Sequence, residues 1–192
     1  MLTKKQLQIL DVFQKNEFKE LAWNKVKELT KETSSSIIQN AIKAFLHEKL
    51  ITENRIGTSK LYKVNHKNNK IYNYFETYNK ESLPEQVLKS IKELEESLDK
   101  HTSFYSIVIF GSYAHGKQKK DSDLDVAVFK SMEIKSLIKI HGHAITKDEF
   151  LEMLKVDYEN LGKEIARKHL IIHNPAIFYS LIKEGEKHGF KL

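Results

Sequence analysis

The sequence predicts an α+β protein built from two modules, and three observations support that fold class. Residues 1–66 show three amphipathic helical patterns followed by two short strands around a glycine turn. Residues 84–192 hold β-branched and aromatic strands between helical patterns, which predicts a small mixed sheet flanked by helices. Residues 67–83 are polar and aromatic and predict a helical connector between the two modules.

The amino-acid composition limits the classes of protein to which this chain can belong. The 192 residues are 40% hydrophobic and 30% charged, which is enough to bury a core. The absence of cysteine excludes disulfides and thiolate metal sites and fits a reducing compartment. The first residues lack the apolar core of a signal peptide, and no apolar run reaches the roughly 20 residues of a membrane span. We therefore expect a cytoplasmic protein with no membrane partner.

Three helical patterns open the chain, each with apolar residues recurring at helical spacing. They cover residues 3–15, 18–31 and 32–51. Thr3 is the expected N-cap of the first helix, and Ser34 or Ser35 that of the third. Residues 50–64 alternate in the manner of two strands joined by a glycine-containing turn, which predicts a β-hairpin.

Three helices and a hairpin within about 65 residues resemble a winged helix-turn-helix domain. Such a domain places its third helix in the DNA major groove, where hydroxyl and amide side chains reach phosphates and base edges. Residues 1–65 contain 12 lysines and arginines against 7 acids, so this third of the chain carries 5 of the net +6 charge. The candidate DNA contacts are Ser35, Ser36, Gln39, Asn40 and Lys43 on the helix and Arg55 and Lys60 on the hairpin.

Winged helices also serve as protein-binding and dimerisation modules. A protein partner and a homodimer are therefore open alternatives to DNA for this module.

The second module begins with a helix predicted over residues 84–100, where Pro84 suits the first turn. Its apolar stripe consists of Val87, Leu88, Ile91, Leu94 and Leu98. A buried strand is predicted over 104–110 and a second over 123–129, because both runs are rich in β-branched and aromatic residues.

Two acids open the second strand. Asp123 and Asp125 are two residues apart, so on a strand their side chains point the same way. Neighbouring carboxylates repel each other unless a cation lies between them. Mg²⁺ (or Mn²⁺) favours such oxygen ligands and keeps substrate phosphate among its remaining ligands. We therefore expect a catalytic metal site at these two aspartates.

A Gly-Ser turn ends the first strand. Gly111 allows a tight turn and close approach to a ligand, and Ser112 with nearby backbone N–H groups can hold a triphosphate. Lys117, Lys119 and Lys120 add positive charge beside the turn.

The run "FGSYAHG" followed by "DSDLDVAV" resembles the nucleotidyltransferases of the DNA polymerase β-like superfamily, above all the minimal members of archaea and bacteria, some of which are fused to winged helices. The resemblance is clear over residues 104–150. It implies a polymerase-β-like domain that transfers a nucleotidyl group from a nucleoside triphosphate, with Mg²⁺, to a protein hydroxyl, a small molecule or RNA.

Two departures from the family pattern leave open whether the site is catalytic. His115 stands where family members commonly have arginine, and imidazole is a poorer phosphate partner. The third carboxylate is missing from the expected next strand, residues 137–145, which carries His141 and His143 instead. Either histidine could act as base or metal ligand, with Glu133 as a fallback; the metal set we expect is Asp123, Asp125 and His141. The alternative is a nucleotide-sensing transcriptional regulator without catalysis.

The connection before that strand has only seven residues, 130–136, whereas a parallel crossover normally needs about a dozen. The strand joins differently, or the sequence lacks residues here. Beyond it, residues 146–170 predict helix opened by a capping box of Thr146 and Glu149. A turn at 173–175 and a last helix close the chain.

Overall fold

A computed structural model describes residues 1–119, 121–130 and 142–191. The chain divides into two compact units, Met1–Tyr78 and Asn79–Leu192, and the division lies inside the predicted connector. Within the described residues, no helix combines the length and apolar character needed to cross a membrane.

The N-terminal unit contains the predicted helices and hairpin and one short additional strand. Its elements are α1 (Lys4–Gln14), β1 (Leu21–Ala22), α2 (Trp23–Thr30), α3 (Ser35–His47), β2 (Ile51–Ile56), β3 (Ser59–Val64) and α4 (Lys70–Ser82), which continues past the division. The three strands form an antiparallel sheet in the order β1-β3-β2. Thr3 caps α1 through a capping box with Gln6, as its side-chain chemistry predicts.

The second helix is shorter than the sequence predicts. It begins at Trp23, because Leu21 and Ala22 pair with Tyr62 and Leu61 of β3 and form β1. Leu21 is buried there. A two-residue strand has no periodicity of its own, so its two apolar residues fitted the helical pattern equally well.

The C-terminal unit contains the predicted mixed sheet. Its elements are α5 (Glu85–Asp99), β4 (Tyr105–Ile109), α6 (Gly111–Ala114), β5 (Val126–Lys130), β6 (Gly142–Thr146), α7 (Lys147–Lys155), α8 (Leu161–Arg167), β7 (Leu170–His173) and α9 (Pro175–Lys187). The strand order is β6-β5-β4-β7, with β5 and β6 parallel and the other pairs antiparallel.

Every residue of β4 and β5 is buried. Apolar side chains of α5 cover one face of these strands, and Phe129 on β5 packs its ring against Phe150 of α7 and Phe178 of α9. The residues that α5 contributes are Val87, Ile91, Leu94 and Leu98. Burial on both faces explains why the two strands read as continuous apolar runs.

The helix predicted over residues 146–170 is two helices followed by a strand. The Thr146–Glu149 capping box opens α7 as predicted, but α7 ends at Lys155. The side chain of Asn160 then caps α8 by accepting a hydrogen bond from the Lys163 N–H. The strand β7 was not predicted, and it pairs with β4.

The strand predicted over 137–145 is described only in part. β6 runs from Gly142 to Thr146, one residue beyond the predicted end. Residues 137–141 lie outside the described part of the chain, as does most of the connection from β5.

Candidate active site and nucleic-acid surface

A tight turn follows β4 at the edge of the sheet. Phe110 is still extended, and Gly111 then adopts a φ of +62°, in the left-handed region that favours glycine. The short helix α6 starts at Gly111, whose carbonyl accepts a hydrogen bond from the His115 N–H at 3.0 Å. The backbone therefore turns from strand into helix at the Gly-Ser pair, and glycine stands where the sequence predicts a tight turn.

Asp125 lies directly against this turn. Its carbonyl accepts a hydrogen bond of 3.1 Å from the Phe110 N–H, which extends the β4–β5 ladder by one step. A Cβ atom added to Gly111 would lie only 2.1 Å from the Oδ2 atom of Asp125. The carboxylate thus occupies the space that any other side chain at 111 would need.

Both aspartates precede the strand on which they were expected. β5 begins at Val126, so the predicted strand of 123–129 starts three residues later than its pattern indicated. Asp125 is half-buried and Asp123 is exposed. Residues 121–125 form a mostly polar segment before β5. The two carboxylates therefore lie just before the start of this strand, where solvent or a ligand can reach them.

Hydrogen bonds donated by backbone N–H groups hold the segment between the Gly-Ser turn and the aspartates. The Lys117 N–H donates to the carbonyl of Ser112 at 2.9 Å, and the Lys119 N–H donates to Ser122 Oγ at 2.8 Å. The side chains of Lys117 and Lys119 are exposed, and Ser112 is half-buried. Lys120 lies outside the described residues.

The predicted histidine positions are only partly described. His143 on β6 pairs in register with Ala127, is exposed, and its ring centroid lies 5.8 Å from that of Phe110. His141 and Glu133 lie outside the described residues. In the parts of the chain that the structure describes, no group of three or more His, Asp or Glu side chains could hold a metal ion together.

The two aspartates nevertheless fit a magnesium ion. Magnesium commonly takes one or two protein carboxylates and completes its octahedron with water and substrate phosphates. The Asp125 carboxylate, in contact with the Cα of Gly111, lies where a phosphate held at the turn would be its neighbour. A donor set of this kind suits an ion that arrives with a triphosphate.

Comparison with family models matches residues 92–187 to the family described as "Polymerase beta, Nucleotidyltransferase". The match spans half of the 192-residue chain. The chain belongs to this family. No curated protein and no solved structure matches the sequence.

The match identifies the helices and strands that form the polymerase β nucleotidyltransferase domain. It runs from within α5 to the end of α9, and it includes Gly111, Ser112 and both aspartates. The predicted C-terminal nucleotidyltransferase domain is therefore confirmed at the level of the family. The match does not include α1 to α4.

The N-terminal unit of this nucleotidyltransferase chain exposes most of the predicted DNA contacts. On α3 the exposed residues are Ser36, Gln39, Asn40 and Lys43, whereas Ser35 is half-buried. Gln39 and Lys43 line a groove of about 540 Å³ between α3 and the hairpin, together with Trp23 and Lys60. Arg55 is on the hairpin but does not line this groove.

The hairpin cations share one acid that sequence reasoning missed. Glu53 contacts Lys60 Nζ at 3.0 Å and Arg55 Nε at 3.4 Å. The hydrogen bond from Lys60 is the main reason that the pKa of Glu53 lies below its usual value. Glu53 and Arg55 are two residues apart on β2, and Arg55 pairs with Lys60 in register. The period-2 alternation of the predicted hairpin was the signal that could have found this triad.

Proposed function

We propose that this chain transfers a nucleotidyl group from a nucleoside triphosphate to an acceptor hydroxyl, and that its N-terminal unit is a winged helix that binds DNA. The contact of the Asp125 carboxylate with Gly111 is the observation that carries the first half of the proposal. This contact brings a carboxylate against the tight turn that follows β4, in a chain of the polymerase β nucleotidyltransferase family. A carboxylate in that position supports a metal site beside bound phosphates.

Each residue at this edge has a role in that reaction. Asp123 and Asp125 would hold Mg²⁺ or Mn²⁺, which supplies positive charge against the triphosphate as charge develops on the leaving group. Gly111 leaves room for the Asp125 carboxylate beside the turn, and the Ser112 hydroxyl and backbone N–H groups of the turn would donate hydrogen bonds to the phosphates. Lys117 adds a long-range positive charge from its exposed position.

The proposed reaction is a substitution at phosphorus. The acceptor oxygen forms a bond to the α-phosphorus, and the bond from that phosphorus to the oxygen bridging the α- and β-phosphates breaks. Pyrophosphate leaves with the electron pair, and the proton of the acceptor hydroxyl passes to solvent. The acceptor is a hydroxyl group of a protein, an RNA or a small molecule.

Transfer of label tests this half of the proposal. The intact chain is incubated with α-labelled nucleoside triphosphates, Mg²⁺ and candidate acceptors, including the chain itself. Asp123→Asn and Asp125→Asn should each abolish labelling, whereas Asp121→Asn, an exposed acid of the same loop, should retain it. Labelling that persists unchanged in both active-site variants would rule out the proposed metal site.

Charge and exposure support the DNA half of the proposal. The exposed face of α3 presents hydroxyl and amide groups that suit phosphates and base edges, and Lys43 follows them one turn later. A gel-shift titration over a range of salt concentrations tests it, because phosphate contacts make affinity fall steeply with salt. Lys43→Gln should weaken binding and flatten this salt dependence, and an absence of binding at low salt would refute the DNA role.

A non-catalytic nucleotide sensor is the second candidate. It is favoured by the sequence of the strand predicted over residues 137–145, which contains no Asp or Glu to serve as a third carboxylate. In that case magnesium-dependent triphosphate binding occurs without label transfer, and the bound nucleotide changes the affinity for DNA. Calorimetry and the gel shift, each with and without nucleotide, distinguish the sensor from the enzyme.

A further inference from the structure

A second recess lies near the Gly-Ser turn, within the C-terminal unit. It is a groove of about 560 Å³ with His115, at the end of α6, on its lining. Residues from α8 and the segment before it also line the groove, among them Leu161, Glu164, Arg167 and Glu159. Its volume lies within the range of small-molecule sites, about 300–1,000 Å³.

Backbone connections place this groove next to the proposed phosphate site. His115 directly follows α6, four residues after Gly111, and four residues of helix span about 6 Å. From Arg167 only two residues lead to β7, whose first residue, Leu170, pairs with Ile109 at the end of β4. Both walls of the groove are thus tied to the sheet edge that carries the Gly-Ser turn.

The charges of the groove do not suit a triphosphate. Glu159 and Glu164 balance Arg167 and Lys168, so the lining has no formal excess of positive charge. The Glu159 carboxylate is bound to Arg167 at 2.6 Å, and this contact keeps the pKa of Glu159 below its usual value. The lining therefore offers both a hydrogen-bond acceptor and a guanidinium donor at neutral pH.

The remaining lining suits a flat, uncharged group. His115 is exposed and presents an imidazole plane, and Leu161 is half-buried and presents an apolar surface. A nucleoside combines a flat base, which packs on such surfaces, with ribose hydroxyls and base edges that hydrogen-bond to carboxylate and guanidinium groups.

We propose that this groove binds the ribose and base of the nucleoside triphosphate whose phosphates lie at Gly111 and Ser112. The inference rests on the proposed function, since it needs the triphosphate to bind at the turn. It adds the site that distinguishes a nucleotide from a bare phosphate chain, and it assigns His115 and Leu161 to nucleoside binding.

Calorimetry with two classes of ligand tests the groove apart from the turn. The intact chain is titrated, in Mg²⁺, with each of the four common ribonucleoside triphosphates and with inorganic tripolyphosphate, which has no nucleoside. At least one nucleotide should bind about tenfold or more tightly than tripolyphosphate. Leu161→Ala and His115→Ala should each weaken binding of that nucleotide about tenfold and leave the affinity for tripolyphosphate unchanged.

Glu152→Gln is the matched control, because Glu152 is exposed on α7, pairs with Lys155 and does not line the groove. It should bind both ligands as the wild type does. Equal affinities for nucleotides and tripolyphosphate, or variants that weaken both ligands alike, would overturn the groove and leave the triphosphate site standing. If neither ligand binds, the proposed function falls and the groove proposal falls with it.

Discussion

Gly111 and Asp125 are in contact where β4 ends and the chain enters β5: a Cβ atom on Gly111 would lie 2.1 Å from Asp125 Oδ2. The φ of +62° at Gly111 independently disfavours other residues at this position. The ladder bond from the Phe110 N–H to the Asp125 carbonyl fixes the two backbones beside each other. The Gly-Ser turn and the backbone of Asp125 are therefore held beside each other by the sheet itself.

Replacing Gly111 by alanine should disable the site through this contact. The left-handed backbone conformation alone costs an alanine about 1 kcal/mol. The new methyl group must also displace the Asp125 carboxylate, so we expect a larger loss of stability and the loss of magnesium-dependent triphosphate binding. Urea denaturation and calorimetry measure the two effects.

Gly116→Ala provides the control for backbone strain. Gly116 has a φ of +64°, but a Cβ atom there would have no neighbour within 4 Å. This variant should lose about 1 kcal/mol of stability and retain triphosphate binding. Equal loss of binding in both variants would show that strain in the loop, and not the contact with Asp125, controls the site.

The elements predicted well from the sequence are those whose signals are local. β4 and β5 were located by buried apolar runs, and the N-cap at Thr3 and the capping box at Thr146 marked the starts of α1 and α7. The spacing between the Gly-Ser pair and the two aspartates likewise indicated the candidate site. In each case a few consecutive residues carry the physical reason for the structure.

The elements that were missed depend on distant partners. β7 has only four residues, and it is held by its pairing with β4 and by the side chain of Asn79. The start of β5 at Val126 reflects where pairing begins, which the apolar pattern does not specify. The contact between Gly111 and Asp125 joins residues 14 positions apart in the sequence, so only the folded chain reveals it.

Asn79→Ala should loosen β7 without touching the site. Asn79 is 2% exposed, and its side-chain amide donates to the Ile171 carbonyl at 2.9 Å. Removal of this donor leaves a buried carbonyl without that bond and should cost about 1–3 kcal/mol of stability. Urea denaturation measures the loss, and amide hydrogen exchange should locate it at β7.

Asn73→Ala is the matched control on the same helix. Asn73 is exposed on α4, so its truncation should change stability by less than about 0.5 kcal/mol. A loss of stability in this variant equal to that of Asn79→Ala would attribute the effect to helix propensity, and not to the bond with β7.

Glu53→Gln should strengthen DNA binding if the hairpin contacts phosphates. Glu53 binds both Lys60 and Arg55, so its neutralisation would release two cations for DNA. We expect tighter binding and a slope of log affinity against log salt that is steeper by about 1–2. Gel shifts at several salt concentrations give this slope.

Glu28→Gln adds the same unit of charge to the N-terminal unit at another place. Glu28 lies on α2 and pairs with Lys25 at 2.7 Å. Its effect on the salt dependence should be smaller than that of Glu53→Gln. Identical effects of the two substitutions would mean that net charge alone accounts for the change, and that the hairpin makes no special contact.

Acid should weaken the contact between α5 and β7 through Glu95. The hydrogen bond with His173, at 3.1 Å, and the charge of Lys80 hold the pKa of Glu95 below its usual 4.5, although burial opposes the shift. Because the unfolded chain binds this proton more readily, ionised Glu95 stabilises the fold above about pH 4.5. That contribution is lost as the pH falls through the lower folded-state pKa.

Glu95→Gln should therefore reduce stability by about 1 kcal/mol near pH 5.5, and its difference from the wild type should shrink toward about pH 3. Urea midpoints across this range measure the difference. Glu96→Gln, which removes an exposed carboxylate 3.9 Å from Lys92, should differ little from the wild type throughout. A constant difference between Glu95→Gln and the wild type from pH 5.5 to pH 3 would show that packing, and not the charge of Glu95, supports this contact.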